Sequence, residues 1–474
     1  MTTLNKTTTN KTKAENGLFI FRRDLRIIDN KGLLLASSKC DKIFTVFIFT
    51  PEQVTSANKF KSDNAVHFMI ESLKDLASEI AKKGGHLYTF YGKNDAIIKQ
   101  LIHALDIDLV CFNMDYSPYA VKRDNSIVDL CEKKDIDCAV EVAQDYYLLE
   151  PGTVLNGSKK VYQKFTPFYN VAHTKHVDPP CNKGITNFAK TSKTLTNTLS
   201  LDTALSRFTS ENPKVHRMVA GGRQEAILLL KQATKSQSHY SKTHNILEKG
   251  TTGLSASIKF GCLSIREVYK VFRNNTDLIR QLWWRDFYAN ILFAFPDVLG
   301  SALKPNYRKI AWHHNSNWFK CWTNGQTGYP IVDAGMRQLN ATGYMHNRAR
   351  LIVASFLVKT LLISWEYGEQ YFAKMLTDYD PASNNGNWQW IAGSGADSQP
   401  YFRIFSPREQ NKNFDPVCEY IKQWIPELKD VPAKDIINWD TKYVDYKDIK
   451  YVKPICDFAK QKELALKMYE AVFK

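Results

Sequence analysis

The sequence predicts an α/β protein in which a mostly parallel sheet domain leads through a long connector into an all-helical domain. Three observations carry this. From Gly17 to Val142, short apolar runs alternate with stretches of helical period, the pattern of strands joined by crossover helices. Beyond Gln224 the helical period continues and strand-like alternation stops. All ten tryptophans lie at or after Trp283, so the largest rings are gathered in the second part.

The elements follow in order. Residues 1–15 are rich in Thr, Asn and Lys and lack an apolar run, so they read as a disordered tail and not a secretory signal. Residues 18–21 form a buried strand, 31–38 a helix and 43–49 a second strand. A helix over 68–82 precedes a strand at 86–90. Asn94 is a suitable N-cap for a helix running to Leu105, and a strand follows at 109–112. A helix over 119–133 and a strand at 139–142 complete the sheet domain, residues 16–149. No GxGxxG follows the first strand. Arg22-Arg23-Asp24-Leu25-Arg26 stands there instead, which argues against an ordinary dinucleotide site. Residues 150–225 form the connector, with an exposed Thr/Ser/Asn/Lys-rich stretch at 183–200. Residues 226–474 form the helical domain, in which Gly328-Tyr329-Pro330-Ile331 turns into a helix through Met336 and Leu339.

At 474 residues and 44% hydrophobic, the chain can bury a large core. A formal net charge of +16 implies an anionic partner, nucleic acid first among them, with a Lys-rich composition bias as the alternative. Nine scattered cysteines form no CxxC pair and eleven histidines form no HExxH. No metal site or disulfide framework is therefore expected, and a reducing compartment fits. The most apolar run, 351–365, contains Lys359 and at about fifteen residues is too short to span a bilayer.

No G-x-S-x-G, Walker A or paired carboxylates occur. Three clusters remain. His346-Asn347-Arg348-Ala349-Arg350, Asp378-Tyr379-Asp380 and the run from Asn384 to Trp390 combine charge, amides and rings. Arg350 and Asp378 suit a buried pair, and Gly386 allows close backbone approach to a bound ring; a purely structural pair and a simple turn are the alternatives. Gly250-Thr251-Thr252-Gly253-Leu254-Ser255 suits a phosphate cradle before a helix, or an ordinary cap. Gln281-Leu282-Trp283-Trp284-Arg285-Asp286-Phe287-Tyr288 puts Gln281, Trp284 and Arg285 on one helical face, to meet a base or to fill a core.

These motifs make the chain resemble the photolyase/cryptochrome family, and within it the class I cyclobutane pyrimidine dimer photolyases. The resemblance runs over nearly the whole chain. It rests on Phe21-Arg22-Arg23-Asp24-Leu25-Arg26, Phe165-Thr166-Pro167-Phe168, Gly328-Tyr329-Pro330-Ile331-Val332-Asp333, Met345-His346-Asn347-Arg348, Asn384 through Trp390, and Tyr401-Phe402-Arg403-Ile404-Phe405. It implies a Rossmann-like antenna domain and a helical domain holding a U-shaped FAD, active when reduced. By position, Tyr240, Thr251, Thr252 and Ser255 contact the FAD phosphates and ribityl chain. Arg285, the Arg350–Asp378 salt bridge and Asp380 lie by the flavin, and Asn384 faces its N5. Trp388, Trp365 and Trp312 fall on the family's electron chain. Trp284 and Trp390 flank the flipped dimer, contacted also by Gln281, Asn347, Arg348 and Leu351. The implied reaction is light-driven repair of UV-damaged DNA, single- or double-stranded. Excited reduced FAD lends the dimer an electron, two cyclobutane bonds break and the electron returns. A monomer working wherever the DNA is, cytoplasmic or nuclear and off the membrane, is expected.

Three features depart from the class I pattern. Gln281 replaces a Glu that hydrogen-bonds the dimer, and an amide cannot release a proton. Gln281 and Phe260-Gly261-Cys262-Leu263-Ser264 resemble the (6-4) photolyases, but Asn347 and Leu351 stand where that branch has its two histidines. Tyr119 and Ala120 stand where folate-binding members carry Asn-Glu, leaving the second chromophore as a deazaflavin, a folate held differently, or none. The rival class is a cryptochrome photoreceptor, against which Asn384 counts.

Overall fold

The computed structural model describes residues 13–210 and 218–473. Five strands, β1 (Ala14–Phe21), β2 (Cys40–Phe49), β3 (Leu87–Tyr91), β4 (Leu109–Asn113) and β5 (Ala139–Ala143), form one parallel sheet in the order β3-β2-β1-β4-β5. Strand β1 begins at Ala14, so the expected tail to Glu15 is too long: the Glu15 and Asn16 amides donate to Asp108 Oδ2, and Ala14 pairs with Cys40. Residues 1–12 lie outside the described residues.

Period two sorts the side chains to both faces. Leu18, Ile20, Val46, Ile48, Val110 and Phe112 pack against the helices Asn94–Leu105 and Pro118–Cys131. Phe19, Phe21, Phe47, Phe49 and Cys111 face the helices Lys31–Lys39 and Asp63–Lys82 on the other side. The second of these helices starts five residues before its expected Phe68, because Ser62 caps it through the Ala65 amide. The connector stretch 183–200 is exposed over most of its length, as expected, yet it runs along the sheet. Ile43 exchanges backbone bonds with Asn187 and Ala189, Leu199 N donates to Thr89 O, and Ile185 and Leu195 are buried. It thereby covers an edge that would otherwise be unpaired.

Past Gly222 every element among the described residues is helical. The core on the inner sheet face continues into this region through Leu254, Phe260, Trp283 and Phe287. A buried ionic clasp joins the two: Arg266 reaches Asp29 at 3.0 Å and Asp145 at 2.6 Å, and Arg26 meets Asp145 at 2.6 Å. A second core belongs to the C-terminal helices alone and contains Trp322, Trp365, Trp388 and Trp439. No helix of the described residues is long and apolar enough to cross a membrane.

Candidate functional site: two cavities with a common wall

The strand order reverses between β1 and β4, the place where open parallel sheets hold ligands beyond their strand ends. A cavity of about 770 Å³ opens there, lined by Arg22 and Arg23 after β1, Asp115–Ala120 after β4, and Lys259, Tyr379 and Asp380 from the helical region. Its charges are paired across the two halves: Arg23 meets Asp115 at 2.6 Å and Asp380 at 3.3 Å, and Lys259 lies 3.9 Å from Asp380. Burial pushes the Asp380 carboxyl up, but Lys259, Arg23 and Arg285 outweigh it and hold Asp380 below the ordinary range. Burial, then the charge of Arg23, pushes Lys259 down to about 8.

A smaller cavity of about 110 Å³ shares Tyr379 and Asp380 with the first. It brings together seven residues expected at the site: Asn347, Arg350, Leu351, Asp378, Asp380, Asn384 and Trp388. Local chain chemistry sets them there. His346 caps the helix Asn347–Lys359 through its ring Nδ1, which accepts from the Arg348 amide at 3.1 Å. Burial, then the charges of Arg350 and Arg348, lowers His346 to about 4, so the ring stays neutral and able to accept. Asp380 caps the helix Pro381–Ala392, accepting from Ser383 N at 3.0 Å, with Pro381 in the first turn.

Arg350 Nη2 binds Asp378 Oδ2 at 2.8 Å, and the other oxygen, Asp378 Oδ1, is buried with no hydrogen-bond partner among the described residues. Asn384 Nδ2 donates to the Glu369 carbonyl oxygen at 3.1 Å, while the Glu369 carboxylate accepts from Asn385 Nδ2 at 3.0 Å. Burial raises Glu369 to about 7. Glu369 escaped the sequence reading, since a lone Glu on an amphipathic helix reads as a solvated face, yet only 4% of it is exposed.

The helix Thr276–Ala294 lies close to Pro381–Ala392 because Gly386 leaves room for Tyr288; a Cβ there would fall 2.1 Å from Tyr288 Cδ1. This helix carries Gln281, exposed and donating to Asp277 O, and Trp284, stacked on Phe165 at 3.7 Å and 5°. Arg285 does not line the small cavity. It turns to the sheet side, where Nη1 donates to Tyr146 O at 2.6 Å and the guanidinium sits over Tyr147 at 4.5 Å.

The cradle residues lie to one side. Thr251 shares a hydrogen bond of 3.0 Å with Tyr344 OH, and Arg350 lies over the Tyr344 ring at 5.5 Å, so Tyr344 links the cradle to the ion pair. Thr252 Oγ1 accepts from Leu254 N, Ser255 is exposed and opens the helix Ser255–Lys259, and Tyr240 stacks on His244 at 4.9 Å. Arg348 is held by Asn245 Oδ1 at 2.6 Å. Trp390 is half-buried against the second core.

Trp388 and Trp365 are buried and Trp312 is partly open. The Trp388 ring lies against the backbone of Gly368, one turn past Trp365, where a Cβ would fall 2.2 Å from it. His313 N donates to Leu362 O at 2.8 Å, which ties the Trp312 segment to the chain just before Trp365.

A parallel sheet with a switch-point cavity is thus joined to a helical region whose cavity combines an ion pair, amides and an orphaned carboxylate oxygen. Residues 18–184 match the family profile described as DNA photolyase, and residues 278–471 that of the FAD binding domain of DNA photolyase. The deoxyribodipyrimidine photo-lyase of Halobacterium salinarum is 33% identical over 96% of this chain and 98% of its own length. That of Escherichia coli is 32% identical over 96% and 98%. Among solved structures, an archaeal photolyase from Sulfolobus tokodaii with two FAD molecules matches with a TM-score of 0.85 and 37% identity, over 96% of this chain and 100% of that one. A class III photolyase from Agrobacterium tumefaciens matches with a TM-score of 0.89 and 30% identity, over 98% and 99%. The chain belongs to the DNA photolyase family.

Proposed function

We propose that this protein binds FAD with its ring against the residues of the small cavity and uses light to split cyclobutane pyrimidine dimers in DNA. The observation that carries the reading is the meeting, at one cavity, of residues assigned to flavin (Arg350, Asp378, Asn384) with residues assigned to the dimer (Asn347, Leu351). The cavity residues fit a nitrogen heterocycle: the buried, unpartnered Asp378 Oδ1 needs a donor that none of the described residues supplies. When bound and reduced, FAD supplies the photoexcited electron; the chain supplies position and electrostatics.

Arg350 and Asp378 orient the ring. Asn384, tethered through Nδ2 to the Glu369 carbonyl oxygen, would offer its own carbonyl oxygen to the ring as an acceptor. Thr251, Thr252, Ser255 and Tyr240 hold the phosphates and ribityl chain, with Asp380 beside them and Arg285 acting on Asp380 through its charge. Trp388 lines the cavity, Trp365 is buried and Trp312 is partly open, and these three rings would relay electrons inward. Trp284 offers one face to the flipped dimer, its other face being covered by Phe165, and Trp390 closes the opposite side. Gln281, Asn347 and Arg348 contact the dimer or its phosphate. One chain supplies all of these groups, so a monomer suffices.

The large cavity takes a second, flavin-type chromophore. Its volume suits a ring of that size, its walls are aromatic and ionic, and Tyr119, bonded to Thr50 at 2.9 Å, forms part of the lining. The two-FAD composition of the Sulfolobus relative supports a flavin there over a folate.

Dark binding tests the reading. The flavin-loaded protein is expected to bind a dimer-bearing oligonucleotide more tightly than the undamaged strand. Equal affinity for the two would overturn it.

A further inference from the structure

The helix Phe165–Ala172 carries rings four residues apart, and they form a continuous parallel stack. Trp284 lies on Phe165 at 3.7 Å and 5°, Phe165 on Tyr169 at 5.8 Å and 24°, and Tyr169 on His173 at 4.8 Å and 13°. His173 Nδ1 and the Tyr169 carbonyl oxygen lie 2.6 Å apart, which fixes the outermost ring. That ring is exposed, so the column runs from a wall of the dimer pocket to the surface. The Arg280 guanidinium lies beside it, 5.2 Å from the Phe165 centroid and 5.0 Å from that of Tyr169, and exposed Lys175 follows on the chain.

We infer that the outer end of this column is a second nucleic-acid contact, where an undamaged base flanking the dimer stacks on the outer face of His173, backed by Tyr169, while Arg280 and Lys175 neutralise its phosphates. This rests on the repair reading above. Every nucleobase presents a π-face, so such a platform tolerates sequence, and adjacent cations match the backbone charge. A protein ligand is disfavoured because the patch combines stacked rings with positive charge and offers no apolar groove.

The test uses the flavin-loaded full chain in the dark. Its probe is a single strand bearing one dimer, with abasic residues placed one at a time at the flanking positions. For the parent, an abasic residue at one particular position is expected to weaken binding roughly tenfold. The Tyr169→Ala, His173→Ala double variant is expected to bind the complete strand roughly tenfold more weakly and to be indifferent to the abasic residue at that position. His173→Ala alone, at an exposed ring that the fold does not need, is expected to show the same loss of position dependence to a smaller degree. An undiminished abasic effect in both variants, or a loss equal at every position, overturns the inference; the second outcome would leave only phosphate contact. Failure of the repair reading is read separately, as a parent with no preference for the dimer.

Discussion

The two cavities share Tyr379 and Asp380 but differ in where their ion pairs lie. In the large one, Arg23, Asp115, Asp380 and Lys259 answer one another across the junction between the sheet and the helices. In the small one, Arg350 and Asp378 pair within the helical region, and Asp378 keeps one oxygen without a partner among the described residues. Buried polar atoms are nearly always satisfied, so an orphan marks a place that a ligand completes. By that criterion both cavities await a ligand, since Arg22, Arg23, Tyr116 and Arg123 on the wall of the large one also keep buried atoms without a partner among the described residues.

Cutting the ion pair of the small cavity is the strongest way to break this distinction. Arg350→Leu leaves Asp378 buried and uncompensated, at a cost of about 3 kcal/mol, and should yield protein without FAD. Asp115→Asn, which strips charge from the large cavity alone, should keep FAD in the small one and lose the second chromophore. Flavin absorbance of the two purified proteins reads both outcomes.

Glu369 gives a pH-dependent version of the same contrast. Its folded-state value, about 7, stands above its ordinary 4.5, so the native state keeps a proton that the unfolded chain releases. Raising the pH from below 4.5 past 7 therefore costs native stability, at most about 3 kcal/mol. Glu369→Gln keeps an acceptor for Asn385 without the charge. Its denaturant midpoint, measured across this window, should lack the decline the parent shows.

Gly386→Ala tests whether the approach of two helices sets the site. The added methyl meets the Tyr288 ring and should destabilise by about 1–3 kcal/mol, with weakened dimer affinity, measured by thermal unfolding and dark binding. The smallest effect is expected at Gln281, which is exposed and bonded only to its own helix. Gln281→Glu should raise the yield of repair a few-fold, by about 1 kcal/mol, without changing flavin content.

The sheet half was legible almost element by element, because strand and helix periods differ and each strand buries both faces. What was missed lies where tertiary contacts override composition. Asp108 draws the Glu15 segment into β1, and backbone pairing to Ile43 and Thr89 lays a polar connector on the sheet. Asn347, Arg350, Asp378 and Asn384 were legible as motifs and do meet at one cavity. The partners of these residues were not legible: Glu369 beneath Asn384, Tyr344 between Thr251 and Arg350, and Asn245 on Arg348. No local pattern distinguishes such residues from ordinary polar positions on a helix or loop. Arg285 stood out in sequence for its place beside Trp284, yet its side chain turns to Tyr146 and Tyr147, because the facing loop offers a carbonyl and a ring.

Illumination of the reduced, FAD-loaded protein with a dimer-bearing oligonucleotide, followed by thymine absorbance, tests the central claim most directly. The absorbance should return under light and stay unchanged in the dark, and Asp115→Asn should still repair under direct excitation of the flavin. No recovery under light, with FAD bound and reduced and the oligonucleotide bound, would contradict the assignment of dimer repair to the small cavity.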